Sequence, residues 1–390
     1  MQQILCTAPL LVVNTGSSSL KLTLFRPDQP GLSLLVERIG SEDSPADHAA
    51  ALQDALAQWR SQGVLTQLDQ LALVAHRLVH GGELFTTPTH IDATVLAQLH
   101  ALSHLAPLHN PIALQCIEAL QEQAPGLPQL ACFDTAFHHG LPPHAYRYAL
   151  PEHYYREHGI RRYGFHGLSL ASVCRQAEVL LGRPLGQLKL IVAHLGNGAS
   201  ITAIEGGRSV ETSMGLTPLE GLVMGSRSGD LDPSIPLFLA GQLGMELQAV
   251  DQLLNQHSGL RGLCGHGDLR AIHALREQGD ADAQLALDIY VHRIRKYLGA
   301  YTAVLGQVDA LIFTAGVGEH DGWVRQAVCA GLENLGYGLD HQANHSHRRG
   351  AAALHAPTSH CAIWVIPSDE ESEIARQAIQ YLEQHGVGNE

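Results

Sequence analysis

The chain is poor in basic residues and has no long apolar run, and both shortages limit the class of protein that it can belong to. Its 390 residues include 24 lysines and arginines against 38 aspartates and glutamates, so the formal net charge is −14. This balance does not favour a nucleic-acid-binding protein, which usually carries a basic patch. No apolar run approaches the roughly 20 residues that a membrane-spanning helix needs. We therefore expect no nucleic-acid partner and no membrane association.

Closely spaced cysteine pairs are absent from the sequence as well. Seven cysteines, among them Cys6, are dispersed along the chain without a CxxC pair, which is typical of structural thiols in a reducing compartment. The N-terminal stretch MQQILCTAPLLVV has no charged region of the kind that begins a signal peptide, and its apolar residues predict a strand. Together these features predict a cytoplasmic location.

Familiar nucleotide and metal motifs are missing too. The chain contains neither a Walker A loop nor a GxGxxG fingerprint, so an ATP-binding protein of this sequence would not be a P-loop protein. Several of its 25 histidines cluster at 341–347, but no HExxH or zinc-finger spacing accompanies them. We interpret that cluster as a solvated loop.

The sequence does contain an alternation of apolar strand-like and helix-like segments, which is typical of an α/β protein. Its length predicts two or three domains, because a single hydrophobic core stops growing near about 250–300 residues. The predicted strands span 10–14, 71–77, 130–133, 188–194, 199–205, 311–315 and 362–367. The predicted helices span 47–60, 92–104, 110–123, 168–181, 247–257, 281–305 and 369–384.

Two hairpins with the same pattern lie roughly 180 residues apart. Each of VVNTGSSSLKLTLF at 12–25 and LIVAHLGNGASITAI at 190–204 runs from an apolar strand through a polar turn into a second apolar strand. The repetition predicts a duplicated domain with one phosphate-binding hairpin in each half, although a chance pair of ordinary hairpins is the alternative. We expect Gly196 and Gly198 to allow positive φ angles and a close approach of backbone N–H groups to an anion.

A third glycine-rich segment, FTAGVGEH at 313–320, follows a predicted strand and precedes a helix-like segment. A strand, a glycine turn and a helix in this order predict a nucleotide site, because the N-terminus of the helix offers free N–H groups.

Rare polar residues stand at the ends of the predicted strands and in the loops between them. Each has a structural alternative: an aspartate at a strand end is often a cap, a histidine in a glycine turn is often structural, and acidic residues at a helix start complement the helix dipole. In open α/β sheets, however, sites gather at the carboxyl ends of the strands. Carboxylates, isolated arginines and histidines, and two phosphate hairpins suit phosphoryl transfer. The residues concerned are Arg77, His109, Asp134, His166, Arg227, Asp369, Glu370 and Glu371.

In this order the motifs resemble those of the acetokinase family, and the resemblance runs nearly end to end. The segments that carry it are NTGSSSLK, HRLVHGGE, LAPLHNP, FDTAF, RRYGFHG, HLGNGAS, TSMGLTPLEGLVMGSRSGDLDP, AGVGE and IPSDEE. The resemblance implies two ribonuclease-H-like domains of the superfamily that includes sugar kinases, actin and chaperone ATPases, with a nucleotide cleft between them. We expect 1–138 with the C-terminal helix 372–390 to form domain I, and 139–371 to form domain II with the adenosine-binding segments.

The family resemblance also implies the reaction and its cofactors. It implies reversible transfer of the γ-phosphoryl group of ATP to acetate by in-line attack, which gives acetyl phosphate and ADP. The ion that accompanies ATP would be Mg²⁺, with Mn²⁺ as the alternative, and the protein would be a homodimer. A propionate or butyrate kinase of the same family is the alternative, and a non-catalytic actin-like ATPase is a more distant one.

Roles for individual residues follow from the same resemblance. Asn14 and Glu370 match metal-associated residues and Lys21 matches a residue near the phosphates; Arg77 matches the residue that grips the acetate carboxylate. Asp134, His166, Arg227 and His109 match catalytic residues. The matches to the pocket around the acetate methyl group are Val79, Leu108, Phe165 and Pro218. The matches to the nucleotide-binding segments are His194, Leu195, Gly196, Asn197, Gly198, Asp268, Leu269, Arg270, Gly316, Val317, Gly318, Glu319 and His320, and at the last of these the family usually has asparagine.

The chemistry of acetate makes cationic residues necessary and a general base unnecessary. Acetate and the γ-phosphate are both anions, and two unit charges about 4 Å apart repel by about 4 kcal/mol at an effective dielectric constant of about 20. Acetate at neutral pH has no proton to lose, so we expect Asp134 to organise Mg²⁺, its waters or an arginine. One methylene group changes discrimination by only about 1–3 kcal/mol, so we expect propionate to be turned over too.

Overall fold

The computed structural model describes residues 8–41 and 43–385. The stretch before residue 8, with Cys6 and most of the predicted N-terminal strand, lies outside the described residues, as does the end of the predicted C-terminal helix. The chain divides into two compact units. The first comprises Met1–His139, Gly167–Ser172 and Asp369–Glu390, and the second comprises Gly140–His166 and Val173–Ser368.

These bounds differ from the predicted domains at the single residue His139 and in two short segments. Gly167–Ser172 and Asp369–Glu371 belong to the first unit, whereas the sequence assigns both to domain II. The physical reason lies in packing, because Leu168 is buried in the core of the first unit against Leu10, Val12 and Ile374. A division of the sequence into continuous segments misses such a short excursion of the chain.

The first unit contains a six-stranded mixed sheet. Its strands are β1 (Leu10–Thr15), β2 (Ser19–Phe25), β3 (Leu32–Glu37), β4 (Leu73–Leu78), β5 (Thr89–His90) and β6 (Gln129–Phe133). The order across the sheet is β3-β2-β1-β4-β6-β5. Strands β1, β4 and β6 are parallel to one another, whereas β2, β3 and β5 pair antiparallel to their neighbours. The predicted hairpin at 12–25 is confirmed as β1 and β2.

The second unit repeats this sheet. Its strands are β7 (Lys189–Leu195), β8 (Ala199–Glu205), β9 (Arg208–Thr212), β10 (Ala310–Thr314), β11 (Ala352–Ala353) and β12 (Ala362–Val365). The order β9-β8-β7-β10-β12-β11 and the direction of every pair match the first sheet, strand for strand. The prediction of an α/β fold with a duplicated domain is therefore confirmed.

Fifteen α-helices cover and connect the described strands. Helices that lie wholly in the first unit are α1 (His48–Ser61), α2 (Ala93–Ala101), α3 (Asn110–Gln123) and α15 (Glu370–His385). Helix α6 (Gly167–Leu181) contributes its first turns to the first unit and its remainder to the second. Those of the second unit are α4 (Pro143–Tyr146), α5 (Glu152–His158), α7 (Ser234–Gly241), α8 (Leu247–Gln256), α9 (Gly259–Cys264), α10 (Leu269–Glu277), α11 (Ala281–Leu305), α12 (Ala315–His320), α13 (Gly322–Cys329) and α14 (His341–Ser346). None of the helices in the described ranges is both long and apolar enough to cross a bilayer.

Two predictions about local structure are wrong. The glycine turn at 313–320 is not a turn, because α12 begins at Ala315 directly after β10. The histidine cluster at 341–347 is not a loop but forms α14, which Asp340 caps by accepting a hydrogen bond from the N–H of Ala343 at 2.9 Å. A side-chain cap of this kind stabilises a short helix.

The sheet of the first unit is buried on both faces. Side chains alternate along β1, so Leu11 and Val13 pack with α1 and α3 while Leu10 and Val12 pack with α15. Alternation of this kind follows from the two-residue period of a strand. Each such side chain contributes about 1.5–3 kcal/mol when it is fully buried, and the rigid sheet holds the polar residues at its carboxyl edge.

Candidate active site

Polar side chains of the first unit meet at the carboxyl edge of its parallel strands. Asn14 stands at the end of β1, Arg77 at the end of β4, and Asp134 directly after β6. Glu370 begins α15 and lies 3.6 Å from the Nε atom of Arg77. The three strands are adjacent and parallel, which is why residues so distant in sequence form one cluster.

Arg77 is the centre of this cluster. Its Nε and Nη2 atoms donate to the two carboxylate oxygens of Asp134 at 3.2 and 2.6 Å, and Nη1 donates to Oδ1 of Asn14 at 3.2 Å. Burial would lower the pKa of Arg77, but the negative charges of Asp134 and Glu370 raise it above its usual value. The guanidinium is therefore a permanent cation whose position is set by a bidentate pair.

Asp134 is almost completely buried behind Arg77. Burial raises its pKa to about 6 and the charge of Glu370 adds to the rise, although the charge of Arg77 opposes it. The backbone carbonyl of Asp134 accepts a hydrogen bond from the N–H of Gly167 at 2.9 Å. A Cβ atom at position 167 would lie 2.2 Å from that carbonyl oxygen, so only glycine allows the start of α6 to approach Asp134.

Glu371, to which the family resemblance assigns no individual role, joins the cluster more closely than Glu370. Its carboxylate accepts a hydrogen bond from Nδ2 of Asn14 at 2.9 Å and pairs with Nζ of Lys21 at 2.9 Å. Burial would raise the pKa of Glu371, but the bonds from Lys21 and Asn14 hold it below its usual value. The acidic run at 369–371 was the available signal, but it does not reveal which carboxylate faces Lys21.

Asn110 is a second residue that the sequence did not reveal. Its side chain accepts from the N–H of His80 at 3.1 Å and donates to the carbonyl of His80 at 2.9 Å. This reciprocal pair attaches the segment after β4, where Val79 is buried, to the start of α3. His109 occupies the N-cap position of that helix and is half-buried, whereas Leu108 is 49% exposed.

The oxygen donors of the first unit fit a hard divalent cation. The carboxylate of Glu370 takes part only in long contacts within the described chain, 3.4 Å to Nδ2 of Asn14 and 3.6 Å to Nε of Arg77. It therefore retains lone pairs for a further ligand, and Oδ1 of Asn14 is a second oxygen donor beside it. Mg²⁺ in phosphoryl-transfer sites is typically held by one or two protein oxygens, with phosphates and waters completing its shell.

Histidine and arginine side chains of the second unit converge beside the turn of its first hairpin. The ring of His166 stacks on the ring of His194 with a centroid distance of 4.0 Å, and its Nδ1 atom is 2.9 Å from Oγ of Ser200. A Cβ atom at position 198 would lie 3.4 Å from Nη1 of Arg227 and 3.7 Å from Nε2 of His166. Both side chains thus present a nitrogen to the same small space at Gly198.

The glycines of this turn do not need positive φ angles, which corrects the expectation for Gly196 and Gly198. Neither is among the residues with positive φ. The absence of a side chain at Gly196 instead allows a close backbone approach, since a Cβ atom at position 196 would lie 3.1 Å from the carbonyl oxygen of Gly198. His166, directly before α6, does have a positive φ, of 62°.

The loop that carries Arg227 is tied down by backbone hydrogen bonds. The N–H of Met224 donates to the carbonyl of Arg227 at 3.1 Å, and the N–H of Ser258 donates to the carbonyl of Ser226 at 3.0 Å. Nη1 of Arg227 also donates to the carbonyl of Pro218 at 3.4 Å. Of the predicted methyl-pocket residues, Pro218 and the buried Phe165 belong to this second unit, whereas Val79 and Leu108 belong to the first.

A cavity of about 940 Å³ lies in the second unit and brings the three predicted nucleotide segments together. Eight predicted residues line it: Gly196, Asn197, Asp268, Leu269, Arg270, Gly316, Val317 and His320. The other five predicted residues are not on its wall: His194, Leu195, Gly198, Gly318 and Glu319. The volume is within the range of about 300–1,000 Å³ that is usual for small-molecule sites.

Tyr290 and His273 also line this cavity, and no motif pointed to either residue. The hydroxyl of Tyr290 is buried without a hydrogen-bond partner in the described chain. Nε2 of His273 lies 2.8 Å from the carboxylate of Asp321, while its Nδ1 atom is buried and unpaired. Buried polar atoms are nearly always paired, so these two atoms are exceptions beside the cavity.

The two sheets define the class of protein, and comparison with known proteins defines the family. Sheets of matching strand order, each covered by helices, are those of an α/β protein with two ribonuclease-H-like domains. The model of the acetokinase family matches residues 42–376. The chain is 46% identical to an acetate kinase of Sulfurovum sp. (strain NBC37-1), over 94% of this chain and 97% of the relative. The chain therefore belongs to the acetokinase family.

Solved structures of the family superpose closely on the chain. The crystal structure of Porphyromonas gingivalis acetate kinase gives a TM-score of 0.89 at 38% identity and covers 96% of this chain and 100% of its own. The crystal structure of a propionate kinase from Francisella tularensis subsp. tularensis SCHU S4 also gives a TM-score of 0.89 at 38% identity, with coverage of 95% and 99%. An acetate kinase and a propionate kinase thus superpose on the chain equally well.

Proposed function

We propose that this protein is an acetate kinase that transfers the γ-phosphoryl group of ATP reversibly to acetate. The observation that carries the proposal is the convergence of His166 and Arg227 on Gly198, next in the chain to cavity residues Gly196 and Asn197. A cation and an imidazole nitrogen that face one point beside a cavity of nucleotide size suit the stabilisation of a transferring phosphoryl group. Membership of the acetokinase family supports the choice of acceptor.

The reaction balances without an external base. A carboxylate oxygen of acetate attacks the γ-phosphorus with a lone pair, and a new O–P bond forms. The bond between that phosphorus and the bridging oxygen breaks, and its electron pair leaves with the β-phosphate of ADP. No proton is transferred, so the protein has mainly to position the two anions and offset their repulsion.

Positive charge from the first unit would hold the acceptor. Arg77 keeps further N–H groups beyond those that bind Asp134 and Asn14, because a guanidinium has five donors. We assign Arg77 to the acetate carboxylate, Lys21 to the phosphates, and Asn14 with Glu370 to Mg²⁺ or Mn²⁺. The ion, when bound, neutralises phosphate charge and orients the γ-phosphoryl group.

Asp134 then acts through Arg77 and not as a base. Its two oxygens are both engaged by Nε and Nη2 of Arg77. A carboxylate bound in this way holds the guanidinium plane in one orientation, which fixes where the remaining N–H groups of Arg77 point. His109, at the N-cap of α3, stays assigned to the same site on the family resemblance alone.

Acyl phosphate formation tests the proposal. The protein would be incubated with ATP, Mg²⁺ and acetate, propionate or butyrate, and the product trapped as the hydroxamate. We expect the highest kcat/KM with acetate and lower but measurable turnover of propionate. A preference for propionate or butyrate would replace acetate as the substrate and keep the mechanism. ATP hydrolysis that is independent of every acid, without any acyl phosphate, would point to an actin-like ATPase that is not a kinase and would contradict the proposal.

We also propose that the protein is a homodimer. Helix α7 carries Leu237 and Phe238, which are 72% and 56% exposed in the single chain, and Leu243 and Leu247 after it are exposed as well. Several large exposed apolar side chains on and beside two helices that contact each other favour an interface. Light scattering should give twice the chain mass, and Phe238→Asp should give one chain mass. A monomeric parent protein would contradict the proposal, and the exposed Leu285→Asp is the matched control.

A cytoplasmic location remains part of the proposal. The six cysteines in the described part of the chain are all unpaired, which suits a reducing compartment. Cell fractionation would test it, and recovery of the protein outside the cytoplasm would contradict it.

A further inference from the structure

Ser200 stands directly behind the ring of His166. It is fully buried, in strand β8, and its Oγ atom lies 2.9 Å from Nδ1 of His166. The opposite ring nitrogen, Nε2, faces the space at Gly198 where Nη1 of Arg227 also arrives. Ser200 therefore contacts the nitrogen of His166 that points away from the proposed phosphoryl position.

The direction of this hydrogen bond follows from the surroundings of Ser200. A buried hydroxyl needs an acceptor for its proton, and Nδ1 of His166 is the only acceptor that the hydroxyl of Ser200 meets in the described chain. Ser200 is then the donor and Nδ1 the acceptor. In a neutral imidazole one nitrogen accepts and the other carries the proton, so the proton of His166 is on Nε2.

We propose that Ser200 is a positioning residue that fixes the Nε2–H tautomer of His166, so that a neutral His166 donates a hydrogen bond to the transferring phosphoryl group. The catalytic consequence of this inference rests on the proposed function, whereas the tautomer of His166 does not. It gives the two side chains at Gly198 different tasks. Arg227 supplies the positive charge, and His166 supplies a directed N–H without having to take up a proton first.

Other groups around the ring support its orientation. His194 stacks on His166 with an angle of 14° between the ring planes, which prevents the ring from tilting, while the Ser200 bond prevents it from flipping about χ2. His194 and Arg227 are the titratable and charged side chains that the described contacts place against this face of His166. Ser200 is uncharged at every pH, so it selects the tautomer without changing the net charge of the site.

The tautomer can be read directly in the unmodified protein. ¹⁵N NMR of histidine-labelled protein distinguishes a protonated from an unprotonated ring nitrogen, and the signals of His166 are those that disappear in His166→Asn. We expect Nε2 to be protonated and Nδ1 to be unprotonated at neutral pH. A proton on Nδ1, or on both nitrogens, would overturn the proposal whether or not the protein makes acetyl phosphate.

Kinetics of variants supply the second readout. Ser200→Ala should lower kcat about tenfold, the usual effect of one hydrogen bond, and should leave the KM values for ATP and acetate within about twofold. Ser200→Thr, which keeps the hydroxyl, should recover most of the loss. Ser213→Ala is the matched control, since its buried hydroxyl accepts from the N–H of Ile201 at 3.0 Å and has no bond to His166. A Ser200→Ala loss that Ser213→Ala reproduces would overturn the proposal.

The pH profile separates a neutral donor from a cationic one. If neutral His166 donates, kcat of the wild-type protein should not decline as the pH rises through the range in which an imidazolium becomes a neutral imidazole. If His166 must be cationic, kcat should fall about tenfold per pH unit above an ordinary histidine pKa of about 6.5, and that result would refute the inference. Absence of product at every pH would instead refute the proposed function, while the NMR result would still decide the tautomer.

Discussion

A hydrogen bond of 2.9 Å joins Asn14 to Glu371 across 357 positions of the chain. Asn14 is near the end of β1 and Glu371 is in the first turn of α15, so the bond attaches the C-terminal helix to the first hairpin. The same carboxylate pairs with Lys21 of β2. The groups assigned to phosphate and metal in the first unit are therefore positioned by a helix from the opposite end of the sequence.

Arg227 supplies the positive charge beside Gly198, and its removal should affect the chemical step. We expect Arg227→Ala to lower kcat by about 10²–10³, the usual effect of losing one preorganised donor in such a site. Steady-state formation of acetyl phosphate measures it. Arg227→Lys should retain part of the rate, because it keeps the charge but not the planar fork. A loss of less than about tenfold in Arg227→Ala would contradict the assigned role.

Arg77 and Asp134 should behave as one unit. We expect Arg77→Ala and Asp134→Asn each to raise the KM for acetate, because the first removes the guanidinium and the second removes the pair that orients it. The double variant should be little worse than Arg77→Ala, with a coupling energy of about 0.5–3 kcal/mol for residues in direct contact. Additive losses, or a kcat loss in Asp134→Asn with an altered pH profile, would favour proton transfer by Asp134 instead.

Tyr290 offers a test of the cavity as the nucleotide site. Its hydroxyl is buried without a described partner, so Tyr290→Phe should leave the stability of the free protein unchanged or raise it by about 1 kcal/mol. The KM for ATP should rise several-fold while the KM for acetate stays the same. Tyr337→Phe is the control, because Tyr337 is buried outside the cavity wall and bonds Thr302 at 2.6 Å. The control should lower stability and leave both KM values unchanged. An unchanged KM for ATP in Tyr290→Phe, or an equal rise in the control, would reject this assignment.

His76 should make the protein less stable in acid. Burial lowers its pKa from 6.5 to about 4, although the hydrogen bond to Gln129 acts in the other direction. The unfolded chain then binds more protons than the folded one between these values. The contribution of neutral His76 to the free energy of unfolding is fully present above about pH 6.5. It is lost as the pH falls towards 4, by about 3 kcal/mol in total.

Urea unfolding at a series of pH values measures this effect. The free energy of unfolding of His76→Gln should fall less steeply on acidification than that of the wild type, whatever its value at neutral pH. His90→Gln replaces an exposed histidine of the same unit and should keep the wild-type slope. Equal slopes for His76→Gln and the wild type would show that His76 does not titrate in this way.

Much of the fold could be predicted because its determinants are local. The 281–305 helix and the hairpins at 12–25 and 190–204 follow from residue periodicity and turn composition, which neighbouring residues decide. The short helices α12 and α14 were mistaken for a turn and a loop, because glycine and histidine content favours neither helix. The Asp340 cap of α14, and the packing of α12 beside β10 and of α14 beside α13, outweigh that preference.

The sequence by itself determined the strand and helix pattern, the duplication, and a family resemblance that named Arg77, Asp134, His166 and Arg227. Only the tertiary structure decided which neighbours these residues meet. Successive side chains of a helix point about 100° apart, so docking of α15 and not composition turns Glu371 towards Lys21. Ser200, Asn110 and Tyr290 are ordinary residues in sequence. Their contacts arise from strands and helices that pack together from distant parts of the chain, and long-range packing of this kind is not encoded in any local pattern.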